Sequence, residues 1–352
     1  MESTLPRLAQ DIQAQPASLA AVLQQQSGKG RDGLLQAAAM LCAAKRVVIT
    51  GIGASMYASI PLEYLLCSYG IDAVTVEAGE LLHYRCNAYR DAVVIVVSRS
   101  GESVEITKLL ATLKGHLPII GVTNEAASTL AREADISLHV GSLPDEMVAI
   151  QSYTGTLLNL HLLGRAAVDE LGMAEEEVRA LLPALSSLIA TNLEEVRGWD
   201  SFLEGGAPVY LLGRGPSYGS ALEGSLLFHE TAKAPAVGMA AGSFRHGPVE
   251  IVDRQFRGLI FAPNGCTRDL SVGLARDLTR FGGRVRVIGP QNDEGIGLEW
   301  CSTPLVPEML APLFEVVPVQ VAAFRLAQLN GIIVGSFRYA PQVTKDEAIF
   351  SR

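Results

Sequence analysis

Short apolar runs alternate along the chain with longer stretches in which apolar residues recur at helical spacing. In the first half the apolar runs are 47–50, 73–76, 92–97, 117–122 and 136–140, and helices are predicted at 55–68 and 104–113. The second half repeats the pattern with apolar runs at 209–212, 258–261 and 285–288 and an apolar helix at 313–329. Strands that alternate with helices predict βαβ units and a mainly parallel sheet. The pattern therefore predicts an α/β fold with doubly wound sheets in αβα sandwiches. Outside it, 5–26 is interpreted as a polar arm and 183–198 as a helical connector.

The two halves of the chain are related by an internal repeat. Gly51, Gly53 and Ser55 recur as Gly213, Gly215 and Ser217. Two further blocks, around 77–83 and 94–97, recur in the same order in the second half. A repeat of this length indicates two homologous domains. The predicted division is an amino-terminal arm and helix at 1–40, a first domain at 41–180, and a second domain with a carboxyl-terminal tail at 181–352.

Composition and charge narrow the function classes. With 49% hydrophobic residues in 352, the chain can fill two sizeable cores. A formal net charge of -9 and the lack of a Lys/Arg cluster argue against nucleic acid as a partner. The five cysteines form no CxxC pair, so neither a disulfide framework nor a metal site is predicted. The chain shows no secretory signal pattern and no evident 18-residue apolar run, so we expect a cytoplasmic protein without membrane contact.

The clearest candidate for chemistry is the serine loop, residues 98–103, with the sequence Ser-Arg-Ser-Gly-Glu-Ser. It follows a buried strand and precedes a predicted helix. A helix N-terminus presents unpaired N–H groups and partial positive charge, so hydroxyls and a glycine there favour a bound anion. Phosphate is the expected anion. The alternative is that the serines only cap the helix, although capping needs one hydroxyl rather than three.

The two glycine turns, 51–55 and 213–217, also follow strands and open helices. Both lack the third glycine of the dinucleotide fingerprint, so nicotinamide binding is not predicted. No other cofactor and no metal is expected.

Together, the doubled βαβ core, the glycine turns and the serine loop resemble the sugar isomerase (SIS) family. The likeness covers about 11–344, and its most specific parts are 98–103, 221–224 and 246–248. It is strongest for the two-domain phosphosugar isomerases, deaminases and deglycases, including the isomerase half of glucosamine-6-phosphate synthase. The resemblance implies two tandem flavodoxin-like SIS domains.

The resemblance also implies a substrate-binding set. In the family the serine loop holds the sugar phosphate, which corresponds here to Ser98, Ser100 and Ser103. Substrate contacts are further implied for Gly53, Ser55, Arg99 and Gln342. Arg99 stands where relatives often have glutamine, and its guanidinium either contacts the phosphate or points into solvent. The second domain has 262–265 in place of the serine loop and lacks its hydroxyls, so one phosphate site per chain is expected.

Catalysis is expected from the second domain. Glu223 and Glu230 lie seven residues apart in an apolar helix, so both carboxylates are predicted on one face. The alternative, and the simpler interpretation for an arbitrary pair of acids, is that this face is only exposed to solvent. The resemblance implies that Glu230 transfers a proton between C1 and C2 of the sugar and that Glu223 contacts the sugar. His246, in a His-Gly-Pro turn, is expected to open the sugar ring and, as in relatives, to enter the neighbouring subunit's site. A homodimer with shared active sites follows.

Some family residues are absent. The lysines of glucosamine-phosphate isomerases are replaced by Leu227 and Pro341, and the lysine-containing loop between the domains is altered at 150–154. These departures and the lack of a glutaminase domain argue against the synthase reaction itself. The predicted function is therefore an enzyme acting on a sugar 6-phosphate, or on an amino-sugar or glycated amino-acid 6-phosphate, by isomerisation, deamination or deglycation. The alternative is a non-catalytic phosphosugar sensor.

Overall fold

The computed structural model describes residues 6–291, 297–334, 337–339 and 343–346. The chain divides into two compact units. The first unit comprises Gln15–Leu182 with Phe337–Arg352, and the second comprises Pro183–Ser336 with Met1–Ala14. Each unit contains one copy of the repeat.

The helices and strands follow the predicted alternation. Those up to residue 182 are α1 (Arg7–Ser27), α2 (Arg31–Ala43), β1 (Val47–Gly51), α3 (Ala54–Tyr57), α4 (Ile60–Ser68), β2 (Ala73–Glu77), α5 (Ala78–Glu80), β3 (Val93–Val97), α6 (Val104–Leu113), β4 (Ile119–Thr123), α7 (Thr129–Glu133), β5 (Ile136–His139), α8 (Gln151–Ala167) and the start of α9 (Leu171–Glu195). A π-helical turn covers Leu81–Arg85. The later elements are α10 (Asp200–Leu203), β6 (Val209–Gly213), α11 (Ser217–Leu227), β7 (Ala236–Ala240), α12 (Ala241–Phe244), β8 (Arg257–Phe261), α13 (Arg268–Arg280), β9 (Arg284–Gly289), β10 (Glu299–Ser302) and α14 (Ala311–Leu329). A second π-helical turn covers Phe228–Ala232.

Both units contain a five-stranded, wholly parallel sheet with the same topology. The first sheet has the order β2-β1-β3-β4-β5 and the second has β7-β6-β8-β9-β10. This is the flavodoxin-like order, with strands added on both sides of the first strand. The predicted fold class is confirmed.

The central strands β1 and β3 of the first sheet are fully buried and mostly apolar because helices flank the sheet. In the first unit Val48, Val94 and Val96 pack with α6 in one core, and the intervening residues of β1 and β3 are buried as well. Strands covered on both sides are expected to be continuous apolar runs. The second unit has a corresponding core that joins β6, β8 and α13.

Two predictions from the sequence were wrong, and two strands were missed. The segment 5–26 is not an arm, because α1 is a helix that buries Ile12, Leu19 and Val22. The single helix predicted at 55–68 is broken, since α4 begins anew with Pro61 in its first turn and the Ser59 hydroxyl donates to the carbonyl of Ser55 at 2.7 Å. Strands β7 and β10 were missed because both are only partly buried and form no continuous apolar run.

One segment has the length and composition of a membrane span, contrary to the expectation that no such run exists. It covers Glu308–Leu329 and includes α14. Because 89% of its apolar window is buried inside the protein, it has the surroundings of a core helix.

Candidate functional site

The serine loop lies at the carboxyl edge of the first sheet, where the strand order reverses. The loop follows β3, and the turn with Gly53 and Ser55 follows the neighbouring strand β1. The chain runs from β1 to β2 on one side of β1 and then crosses to β3 on the other side. In open parallel sheets the crevice at this reversal is the usual ligand-binding position. The fold therefore brings Gly53, Ser55 and the serine loop to one edge.

The serine hydroxyls of this loop accept hydrogen bonds from its own backbone. Ser98 Oγ accepts from the N–H of Gly101 at 3.1 Å, and Ser100 Oγ accepts from the N–H of Glu102 at 3.3 Å. Each hydroxyl keeps its own proton to donate. Ser103 stands at the N-cap of α6, but in the described structure its side chain makes no capping bond. The interpretation that these serines only cap the helix is therefore wrong.

Contacts with the N-terminus of α7 hold the serine loop in place. Gly101 has φ +64°, and a Cβ on it would lie 2.3 Å from Ser128 Oγ, so only glycine fits there. The Glu102 carboxylate accepts from the N–H and the hydroxyl of Thr129 at 2.5 and 3.0 Å. Leu130 N–H also donates to the carbonyl of Gly101 at 3.2 Å. Sequence reasoning did not find this clamp, because Thr129 lies 27 residues from Glu102 along the chain.

The described part of the carboxyl-terminal tail reaches the same loop. The N–H of Val104, the first residue of α6, donates to the carbonyl of Thr344 at 3.0 Å. One of the N–H groups at the helix start is thus already paired. Gln342, predicted to contact substrate, and Pro341 lie outside the described residues.

Arg99 is anchored through its backbone. Its carbonyl accepts from the N–H of Asn124 at 3.2 Å and from the Thr123 hydroxyl at 3.0 Å. The guanidinium is half-buried and has no hydrogen-bond or ion-pair partner among the described residues. Both roles considered for it, phosphate contact and solvation, remain predictions.

The altered family loop at 150–154 forms the start of α8. Asp145 accepts hydrogen bonds from the N–H groups of Gln151 and Ser152 at 2.6 and 3.0 Å and from the Ser152 hydroxyl. Burial raises the pKa of Asp145 despite these bonds. In place of a cationic side chain, this chain has a buried carboxyl group that caps a helix.

At the corresponding edge of the second unit, groups of the protein itself take up the available space. A Cβ on Gly265, in the loop after β8, would lie 2.0 Å from the Glu308 carboxyl carbon. The Ser217 hydroxyl, the counterpart of Ser55, donates to Glu315 at 2.9 Å. A carboxylate against the loop and a hydroxyl already in use both disfavour a second phosphate here. This supports the prediction of one phosphate site per chain.

The two candidate glutamates are not on one face of a regular α-helix, contrary to prediction. Glu223 lies within α11 and is only 1% exposed, whereas Glu230 lies in the π-helical turn Phe228–Ala232 and is half-buried. A π-turn changes the rotation per residue, so the seven-residue spacing no longer aligns the two side chains. Such turns are frequent at functional sites, and this one sets Glu230 apart from its helix.

A lysine that sequence reasoning missed lies beside Glu230. Lys233 ends the π-turn with φ +51°, and its Nζ donates to the carbonyl of Glu230 at 2.5 Å. The family lysine on this helix is replaced by Leu227, which is 1% exposed. The second unit therefore carries an ammonium group close to the Glu230 backbone, six residues after Leu227, the position for which the resemblance implies a lysine. The left-handed residue at the end of the turn is a tertiary feature without a clear sequence signal.

His246 lies in an exposed turn between α12 and the short helix Pro248–Ile251. Its N–H donates to the carbonyl of Ser243 at 3.0 Å, and Gly247 beside it has φ +123°. Among the described residues the imidazole has no hydrogen-bond or ion-pair partner. An exposed imidazole on a rigid turn is able to exchange a proton with a bound molecule.

A buried acid on α14 was not found from the sequence. Glu315 is 1% exposed and accepts hydrogen bonds from the hydroxyls of Ser217 and Ser220 at 2.9 and 3.1 Å. Burial raises its pKa to about 8, with a smaller contribution from the charge of Glu308. The bonds tie the first turn of α11, the helix that carries Glu223, to α14.

These features define a class of protein: a tandem α/β protein with two flavodoxin-like units, one of which has a serine-rich loop at its sheet reversal. The chain belongs to the SIS domain family, whose model matches residues 40–166 and 207–329. In the described residues no cluster of three or more His, Cys, Asp or Glu side chains is arranged to hold a metal.

Related proteins and solved structures are consistent with this assignment. The chain is 29% identical over 298 residues to a glutamine–fructose-6-phosphate aminotransferase (isomerizing) of Pyrococcus horikoshii, covering 81% of this chain and 49% of the relative. It thus spans about half the length of that relative. The fold is similar to that of the C-terminal domain of glucosamine-fructose-6-phosphate aminotransferase from Francisella tularensis, with TM-score 0.83, 18% identity and coverage of 95% and 99% of the two chains. It is also similar to a glucosamine-6-phosphate deaminase from Thermotoga maritima, with TM-score 0.76, 20% identity and coverage of 96% and 99%.

Proposed function

We propose that this protein is a phosphosugar enzyme that moves a proton between C1 and C2 of a sugar 6-phosphate or of its amino-substituted derivative. The observation that carries the proposal is the serine loop. At the sheet reversal the hydroxyls of Ser98 and Ser100 accept from backbone N–H groups and keep their own protons to donate, and the Ser103 side chain at the start of α6 makes no capping bond. Three hydroxyl donors beside a helix N-terminus suit a phosphate dianion.

Binding of the phosphate is assigned to the first unit. Ser98, Ser100 and Ser103 would bind the phosphate oxygens, and Ser55 on the neighbouring turn would contact the sugar. Within the described residues the Ser55 hydroxyl has no partner, unlike its repeat counterpart Ser217. The free hydroxyl supports the assignment of the binding role to the first unit.

Glu230 would act as the base. A carboxylate removes a proton from the carbon next to the carbonyl carbon and returns it to the carbonyl carbon itself, through an enediol or, for an amino-substituted ketose, an enolamine. In the latter case the transfer leaves an imine at C1, and addition of water then releases an amine and an aldose phosphate. The half-buried position of Glu230 in a π-helical turn, a feature frequent at functional sites, supports this role.

His246 would open the sugar ring by exchanging the proton of the anomeric hydroxyl, and Glu223 would contact the sugar. The exposed position of His246 supports a role towards a second copy of the chain, so we propose a homodimer in which the histidine completes the partner's site. The proposal includes a cytoplasmic location, where sugar phosphates are made and used.

The test combines ligand binding with isotope exchange. Sugar and amino-sugar 6-phosphates would be screened by thermal stabilisation, since a ligand at 100 times its dissociation constant stabilises by about 2.7 kcal/mol. The Glu230→Gln variant should keep this stabilisation and lose solvent-deuterium incorporation at C1 and C2 by about 10²- to 10⁴-fold. A double variant, Ser98→Ala with Ser100→Ala, should instead lose the stabilisation.

The control is Glu176→Gln, which changes an exposed acid on α9. Unchanged exchange in Glu230→Gln would refute the assigned base. Tight binding of a phosphosugar by the wild type without any exchange would favour the sensor, which the loss of the family lysine at Leu227 also favours. Failure of every sugar phosphate to bind would refute the proposal as a whole.

A further inference from the structure

Three arginines lie side by side at the amino edge of the second sheet. Arg257 opens β8, Arg284 opens β9 opposite it in the parallel register, and Arg286 follows on the same face of β9. In the first sheet the register positions of Arg257 and Arg286 are taken by Val93 and Ile120. Strands covered by helices are normally apolar, so guanidinium groups at these positions need a physical explanation.

Part of that explanation is a helix end. All three guanidinium groups donate to backbone carbonyls of the segment 198–203, which contains α10: Arg257 Nη1 to Leu203, Arg284 Nη1 to Ser201 at 2.6 Å, and Arg286 Nη2 to Gly198 at 3.4 Å. Cations are favourable near the carboxyl end of a helix. Carbonyl groups are neutral, however, so these bonds hold the arginines in place without balancing their charges.

Positive charge is in excess in this cluster. Arg286 is paired with Glu299 at 3.1 Å, and the Glu299 side chain is 69% exposed. Arg257 and Arg284 form no ion pair with any residue among 6–291, 297–334, 337–339 and 343–346. Burial lowers the pKa of Arg257, and the positive charge of Arg284 lowers it further. Two neighbouring cations without a counter-ion are costly, and a bound anion would offset that cost.

A cavity of about 340 Å³ opens beside Arg284 and Arg286. Ser201 also lines it, and the Ser201 hydroxyl has no hydrogen-bond partner in the described part of the chain. Of the described residues around the cavity, Glu299 is the one acid. The volume lies at the lower end of the range for small-molecule sites, so the cavity suits a small ligand.

We propose that this cavity binds a small dianion that carries a phosphate group or two carboxylates. The planar fork of a guanidinium matches the oxygens of either group, and Arg284 would supply N–H groups that its bond to Ser201 leaves unused. Arg286 and the Ser201 hydroxyl would complete the site. The single phosphate site predicted for the substrate concerns the carboxyl edges of the two sheets, whereas this cavity lies at the amino edge of the second. The inference goes beyond the proposed function and does not depend on it.

Equilibrium dialysis against inorganic phosphate and against succinate tests the site. The protein is the double variant Ser98→Ala with Ser100→Ala, so that the serine loop does not contribute to phosphate binding. One dianion per chain should bind, and the probe that binds identifies the group recognised. Arg284→Gln should weaken this binding by about 10- to 100-fold, as expected for a lost charged hydrogen bond. Arg284→Lys should fall between the two, because it keeps the charge and loses the fork.

Glu299→Gln gives a result that misfolding cannot imitate. It removes the acid of the cavity and releases Arg286, so dianion binding should become about 2- to 5-fold tighter. Arg179→Gln, which changes an exposed arginine on α9, is the matched control and should leave binding unchanged. Failure of both probes to bind at millimolar concentration would overturn the inference, as would binding that neither Arg284→Gln nor Glu299→Gln alters. Because no sugar phosphate is used, these results leave the proposed function untouched.

Discussion

Replacing the buried acid Glu315 by glutamine should stabilise the protein near neutral pH. Burial raises the pKa of Glu315 to about 8, from an ordinary value of 4.5. Below pH 4.5 the carboxyl group is protonated in both the folded and the unfolded chain, so it costs nothing. Between pH 4.5 and 8 the unfolded chain loses this proton and the folded chain keeps it, so the free energy of unfolding falls as the pH rises.

The size of the effect follows from the pKa difference. Each pH unit in this window costs about 1.4 kcal/mol, which gives about 3 kcal/mol at pH 7 and about 5 kcal/mol above pH 8 as upper values. A glutamine at 315 has no charge to bury and offers an amide to the hydroxyls of Ser217 and Ser220. The Glu315→Gln variant should therefore match the wild type near pH 4.5 and exceed its stability increasingly up to pH 8.

Urea unfolding at a series of pH values from 4.5 to 9 measures this difference directly. Glu194→Gln, which changes an exposed acid on α9, is the control and should show no such rise. A stability difference between Glu315→Gln and the wild type that does not change with pH would refute the reasoning. A lower stability of the variant at pH 8 would also refute it.

Two further predictions concern the first unit. Gly101→Ala should destabilise the protein by about 2–4 kcal/mol in urea unfolding, because it combines a positive φ with a 2.3 Å clash against Ser128. The control is Gly115→Ala, at φ +76° in open space, which should cost only about 1–2 kcal/mol. Equal losses in the two variants would contradict the packing argument. His161 is buried in α8, and burial lowers its pKa to about 3 from 6.5, with a smaller effect of Arg165. The contribution of His161 to the free energy of unfolding should therefore fall by about 1.4 kcal/mol per unit as the pH drops below 6.5, with a sign opposite to that of Glu315, so the two largely cancel between pH 4.5 and 6.5. His161→Gln should remove this contribution in acid titrations, and equal slopes in the variant and the wild type would count against it.

Local sequence determined the framework and the phosphate loop. The apolar runs that form β1, β3, β6 and β8 and the helix α6 are legible in the sequence because strands buried on both faces are uniformly apolar and amphipathic helices have a fixed period. The repeat of the glycine turns is equally local, and Gly53 and Gly215 adopt nearly the same φ, +52° and +53°. The serine loop was recognisable because its residues are consecutive.

Only the tertiary structure decided which side chains the site can use. Three features depend on contacts that follow no regular spacing along the chain. They are the π-turn that separates Glu230 from Glu223, the hydrogen bonds of Glu102 to Thr129, and the burial of Glu315 against α11. Hydrogen bonding and desolvation depend on neighbours distant in the chain, and these neighbours are set by packing rather than by pattern.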